Sequence, residues 1–125
     1  MQRERTGAQL SAATAFNIDA GIAAGPIRLG DVAGIYPYEN TLRAVRITGA
    51  QLKAFLEQSA RYYRVDASGR VRIDDSIPGY NFDMVSGASY EIDLTRPVGG
   101  RLVNLPVGGR PVRSVDSFPM AGNSY

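Results

Sequence analysis

The seven tyrosines, at positions 36, 38, 62, 63, 80, 90 and 125, are the side chains of this sequence best suited to ligand chemistry. A flat ring stacks on a planar ligand, and a nucleobase held that way gains roughly 1–3 kcal/mol. The commoner use of a tyrosine is core packing with its hydroxyl kept wet. Most catalytic residue types are missing. The 125 residues contain no histidine and no cysteine. That removes dinuclear phosphoesterase centres, zinc hydrolases and Ser-His or Cys-His nucleophiles in their usual form. The Asp and Glu residues show no EF-hand-like spacing, and Asp74-Asp75 falls in a predicted loop, so they read as surface carboxylates.

Charge narrows the partners further. Fourteen basic and 12 acidic residues leave a formal net charge of +2, and the arginines are scattered from Arg3 to Arg113, with Lys53 the only lysine. Nucleic-acid binders concentrate such residues on one face, so a nucleic acid polymer is not an expected partner. No run of 18 apolar residues is present to span a membrane, and the opening MQRERTGAQL lacks the apolar stretch of a secretory signal. The absence of cysteine says nothing about compartment, because a domain of this size folds without disulfides in either redox environment.

These side chains need a scaffold. Leu10 to Phe16 is small and apolar enough for a buried strand, and Asn17 to Pro26 carries the Asn, Asp, Gly and Pro of a loop. Leu29 to Ile35 suits a short helix opening near Asp31 and stopped by Pro37, and Thr41 to Ile47 suits a strand. The strongest element is a helix over about 49–63. Thr48 and Gln51 form a capping box, and Leu52, Phe55, Leu56 and Tyr63 fall on one face, away from Lys53, Glu57 and Arg61. Burying its three large apolar side chains should stabilise the fold by about 1.5–3 kcal/mol each. Ser68-Gly69 predicts a tight turn, and Ser76 to Gly79 a second loop. Tyr90, Ile92 and Leu94 alternate with polar neighbours as in a half-buried strand over Ser89–Leu94. The two VGGR stretches, at 98–101 and 107–110, predict turns flanking a strand over Arg101 to Pro106, and Ser117 to Tyr125 reads as a further strand. Strands that do not alternate with helices favour an α+β domain with a mixed sheet, and no linker marks a second domain.

Four stretches in sequence, TGAQLSAATAFN at 6–17, GPIRLGDVAGIYPYENTL at 25–42, ITGAQLKAFLEQSARYY at 47–63 and GYNFDMVSGASYEIDL at 79–94, resemble the C-terminal domain of the 5′-nucleotidase family. Order and spacing agree over nearly the whole chain. The branch it most resembles is the 2′,3′-cyclic-nucleotide 2′-phosphodiesterase/3′-nucleotidases.

The resemblance implies a nucleobase held between two aromatic rings, Tyr38 and Tyr125. It also implies a base-edge contact from Asn40, an amide that both donates and accepts, and ligand-facing roles for Asn17 and Gly79. The bland alternatives are that both asparagines satisfy turn backbone and that Gly79 only permits a turn. Where 5′-nucleotidases carry an arginine that meets the 5′-phosphate, this sequence has Ile22, which points to the cyclic phosphodiesterase branch. The family pattern places a metallophosphoesterase domain before this one and a glycine-rich loop after the late tyrosine. Divalent metals are expected only in that N-terminal domain, with no cofactor held here. By resemblance the location is periplasmic or extracellular. The function implied is nucleotide or nucleoside recognition for a hydrolase. The alternative is a catalytically inert structural or protein-interaction module that self-associates through an unpaired terminal strand.

Overall fold

The computed structural model describes residues 1–14 and 19–124. Four strands, β1 (Leu10–Thr14), β2 (Leu42–Thr48), β5 (Asp83–Ser86) and β10 (Ser117–Asn123), make the main sheet in the order β2-β10-β1-β5. The sheet is mixed, with β10 parallel to β1 and antiparallel to β2, and β1 antiparallel to β5. The expected α+β class is therefore observed. The last strand lies in the middle, paired with β2 from Ser117↔Thr48 to Asn123↔Leu42. The expectation of an unpaired terminal strand is corrected, since both edges of β10 are occupied and the outer strands are β2 and β5.

Helix α3 (Gly49–Ala60) covers one face of this sheet. The capping box forms as expected. Thr48 Oγ1 accepts from Gln51 N at 3.2 Å, and Gln51 Oε1 accepts from Thr48 N at 2.8 Å. Gly49 has to be glycine, because a Cβ there would lie 2.1 Å from the Arg113 carbonyl oxygen. Leu52 and Leu56 are fully buried against Leu10, Val85, Leu102, Val107 and Phe118, with Phe55 half-buried beside them.

Two parts of the helix differ from expectation. Glu57, assigned to the polar side, is only 8% exposed. Its carboxylate accepts from Arg101 N at 3.1 Å and Leu102 N at 2.7 Å, satisfying amides that would otherwise be buried without partners. The helix also ends at Ala60, not at 63. Arg101, likewise 8% exposed, donates from Nη1 to the carbonyls of Ala60 at 2.9 Å and Tyr63 at 2.6 Å, capping the C-terminal end where helix carbonyls lack partners. Tyr63 then opens β3 (Tyr63–Val65), which pairs with β4 (Val71–Ile73) around the expected Ser68-Gly69 turn.

The remainder is short hairpins. Strand β6 is only Glu91–Ile92, shorter than the predicted 89–94, and pairs with β7 (Leu102–Val103). Thr95 and Arg96 both hydrogen-bond the Asp93 carboxylate and close a turn there, which stops β6 early. β8 (Pro106–Val107) and β9 (Arg110–Pro111) flank Gly108 and Gly109, at φ 58° and 77°, the left-handed pair a two-residue hairpin needs. A short helix α1 (Gln2–Thr6), not anticipated from the sequence, packs beside β10 and β2.

Removing the Glu57 carboxylate should strand two amides in the core. Glu57→Ala is expected to destabilise the chain by about 2–4 kcal/mol in urea unfolding. An Arg110→Ala control on an exposed hairpin should stay within about 0.5 kcal/mol of wild type.

Candidate functional site

Helix α2 (Leu29–Ile35) is the element that presents Tyr38. It spans the expected Leu29–Ile35, with Arg28 as its cap, whose backbone N donates to Asp31 Oδ2 at 2.7 Å. Pro37 prevents the helix continuing, and the chain runs extended into β2. One contact braces this crossing internally and two tie it to the end of β10. The Tyr36 hydroxyl accepts from Asn40 Nδ2 at 2.8 Å and from Asn123 Nδ2 at 2.7 Å, and Ser124 Oγ accepts from Thr41 N at 3.0 Å.

Tyr36 then serves as a backing plate. Its ring meets Tyr38 edge to face, with centroids 5.8 Å apart and planes at 82°, a favoured aromatic geometry. Tyr38 stays 50% exposed. Asn40 is half-buried and donates from its amide nitrogen to the Tyr36 hydroxyl. Gly79 opens a 3-10 turn, Gly79–Asn81. Its φ lies outside the left-handed region, and an added Cβ would meet only the Tyr62 hydroxyl at 3.4 Å, so this turn does not itself demand glycine. Asn17 and Tyr125 lie outside the described residues.

Next to Asn123 a cavity of about 300 Å³ opens where α3 stops covering the sheet. Strand register explains its lining. Thr14↔Asp83 and Gly122↔Arg43 are opposed pairs, and opposed residues of antiparallel strands share a face. These are on the same face as Phe118, Val85 and Leu10, which α3 covers farther along the sheet. Phe55 and Tyr80 wall the opening. Thr14 Oγ1 holds the Tyr80 turn in place by donating to the Tyr80 and Phe82 carbonyls at 3.0 and 2.9 Å.

The cavity holds two charged groups that sequence reasoning missed. Asp83 is half-buried, and burial pushes its carboxyl above the usual carboxylate range. Among the described residues its carboxylate has no hydrogen-bond or ion-pair partner. Arg43 donates from Nε to Thr41 Oγ1 at 3.3 Å and is in none of the ion pairs among the described residues. The available signal was the alternation of Asp83-Met84-Val85-Ser86, which puts Asp83 on the face of Val85.

The other perturbed carboxylates are structural. Asp66, bonded by Ser68, Arg70 and Arg72, is lowered to about 2, and Asp74, Asp93 and Asp116 are lowered by the turns or neighbours they bind. Among the described residues no three His, Cys, Asp or Glu side chains come together to hold a metal ion. No described helix is long and apolar enough to cross a membrane.

Comparisons with known proteins agree on one assignment. The family model for the 5′-nucleotidase C-terminal domain matches residues 1–125. The 2′,3′-cyclic-nucleotide 2′-phosphodiesterase/3′-nucleotidase of Haemophilus influenzae is 36% identical over 118 residues, covering 81% of this chain and 18% of that protein. The trifunctional nucleotide phosphoesterase protein YfkN of Bacillus subtilis is 30% identical over 125 residues, covering 87% of this chain and 8% of that protein. The crystal structure of a Staphylococcus aureus protein described as a 5′-nucleotidase superposes with a TM-score of 0.87 at 27% identity, over 99% of this chain and 25% of that one. The chain thus spans less than a fifth of either curated relative.

A carboxyl whose folded-state pKa is raised costs stability when ionised, and that cost fades as pH falls and the group is protonated in both states. Asp83→Asn is therefore expected to raise the melting temperature at pH 7, with the gain shrinking as pH falls through the raised folded-state pKa and gone below about 4, where the group is protonated in both states. A gain that does not change with pH, or a loss at pH 7, would show that burial is not what perturbs this group.

Proposed function

The chain belongs to the 5′-nucleotidase C-terminal domain family, and on that premise we propose that it recognises the nucleobase for a nucleotide-hydrolysing metallophosphoesterase. The observation that carries this reading is the Tyr38 ring, half exposed on a crossing braced by the Tyr36–Asn40 hydrogen bond and pinned to the end of β10 by the Tyr36–Asn123 and Thr41–Ser124 hydrogen bonds. A ring fixed in orientation loses little freedom when a base stacks on it, so most of the stacking energy appears as affinity. Tyr125 supplies the opposing ring in this reading, with Asn40 at the base edge and Asn17 and Gly79 beside the ligand. Two flat rings grip any purine or pyrimidine, so tolerance of different bases follows.

The resemblance to cyclic-nucleotide phosphodiesterase/3′-nucleotidases and the isoleucine at position 22 favour 2′,3′-cyclic or 3′-nucleotides as substrates of the whole enzyme. The catalytic partner is an N-terminal metallophosphoesterase domain, and the enzyme acts in nucleotide catabolism outside the cytoplasm. When bound, divalent metals in that domain activate water for attack on phosphorus. This chain has no catalytic residues in the scheme; its part is to bind and orient the nucleoside, and domain rotation presents the phosphate.

Titrating ¹⁵N-labelled chain with adenine should give saturable shifts centred on Tyr36–Thr41. Tyr38→Ala should weaken that binding about tenfold or more, as expected for one lost stacking surface. A well-dispersed wild-type spectrum that does not change on titration, or shifts untouched by Tyr38→Ala, would sink the assignment.

A further inference from the structure

The two outer edges of the main sheet, on β5 and β2, are finished differently. On β5 the N–H groups that do not serve the ladder with β1 are closed by hydroxyls. Asp83 N donates to Ser59 Oγ at 3.2 Å, and Val85 N to the Tyr90 hydroxyl at 3.4 Å. β2 has no such cover. The phase of its ladder follows from its end, because residues along an antiparallel pair alternate between facing the partner strand and facing away. Gly49 N donates to Asp116 O at 2.8 Å, continuing the Thr48↔Ser117 register, so Ile47, Val45 and Arg43 also direct their backbone groups at β10. Thr48 N is turned away, to Gln51 Oε1. The N–H and C=O groups of Leu42, Ala44 and Arg46 therefore point out of the sheet, and they have no hydrogen-bond partner among the described residues.

An open edge of this kind is a template for another strand, and charge is its usual deterrent. Here both guanidiniums fold back on their own chain. Arg43 Nε donates to Thr41 Oγ1 at 3.3 Å, and Arg46 Nη1 to Ser117 Oγ at 3.5 Å. Leu42 and Val45 beside them are 42% and 55% exposed.

The strand that matches this edge is β2 itself. Outward-facing residues must oppose outward-facing residues, and an antiparallel pair centred on Ala44 achieves this. It sets Ala44 against the other copy's Ala44, Leu42 against Arg46, and Arg43 against Val45. No arginine then opposes an arginine, and each arginine stem covers an apolar side chain of the other copy that is otherwise in water. A pair centred on Arg46 would oppose like charges, and one centred on Leu42 would run off the end of the strand.

We propose that the free edge of β2 is a self-association surface, on which two copies of this chain pair through residues 42–46 and join their four-stranded sheets into one. A single two-fold axis closes the contact, so association stops at a dimer. The outer edges of the joined sheet are then the two β5 strands, already closed by Ser59 and Tyr90. The paired segment begins after Thr41, and the proposal does not depend on the reading of Tyr38.

Sedimentation equilibrium of the purified chain over a wide concentration range tests it. The wild type should form a reversible, concentration-dependent dimer, weak because one strand edge is a small interface. Ala44→Pro removes the N–H that each copy donates across the axis and should weaken the dimer about tenfold or more. It should still fold, since proline is tolerated where the N–H faces out of an edge strand. Ala44→Glu and Ala44→Lys each set like charges opposite one another and should associate several-fold more weakly than wild type, whereas their equimolar mixture should recover the dimer. A chain that remains monomeric at every concentration, a dimer that Ala44→Pro leaves intact, or a mixture that associates no better than either variant alone would each overturn the proposal.

Discussion

The position of the last strand is the constraint on which the rest of the molecule depends. Strand β10 lies between β1, at the start of the chain, and β2, so the sheet cannot close until Ser117–Asn123 arrives. Its residues do different work along their length, Phe118, Met120 and Gly122 on the inner face and Asn123 on the outer one. Phe118 and Met120 join the core under α3, Gly122 floors the cavity, and Asn123 holds Tyr36. Folding thus couples core and site through one strand, and pairings this distant in sequence impose a large loop-closure cost. The far end of α3 is secured separately, where Glu57 and Arg101 exchange their charged groups for each other's neighbouring backbone.

The site sits where the structure does least to stabilise itself. Helix α2 buries none of its residues, and β2 exposes Leu42 and Val45. Asp83 is desolvated with no hydrogen-bond or ion-pair partner for its carboxylate among the described residues, and Gly122 leaves space that a larger side chain could fill. Each of these lowers the stability of the chain. Such local costs collect where binding is needed, since a group already satisfied by the protein has little left to offer a ligand.

The sequence was most legible where local chemistry decides the outcome. The Thr48–Gln51 capping box, the Pro37 stop and the Gly108-Gly109 turn depend on residues a few positions apart, and all form. Glu57 was misread because a glutamate on a helix is expected to face water, and its partners are amides 44 and 45 residues away. The β3–β4 hairpin went unseen because strands of three residues carrying Arg64 and Arg72 lack a clear alternation. Strand β6 fell short because the Asx turn at Asp93 outcompeted its pairing. Tyr38 and Asn40 stood out through family resemblance, whereas the alternation over Asp83–Ser86 hints at the face of Asp83 alone, and bringing Asp83 and Arg43 to one face needed strand register.

The central claim is that a base lies on Tyr38, and intermolecular NOEs between bound adenosine and the isotope-labelled chain test it most directly. The account predicts cross-peaks from the base protons to the Tyr38 ring. Saturable binding whose base cross-peaks reach a different surface, with none to Tyr38, would contradict it.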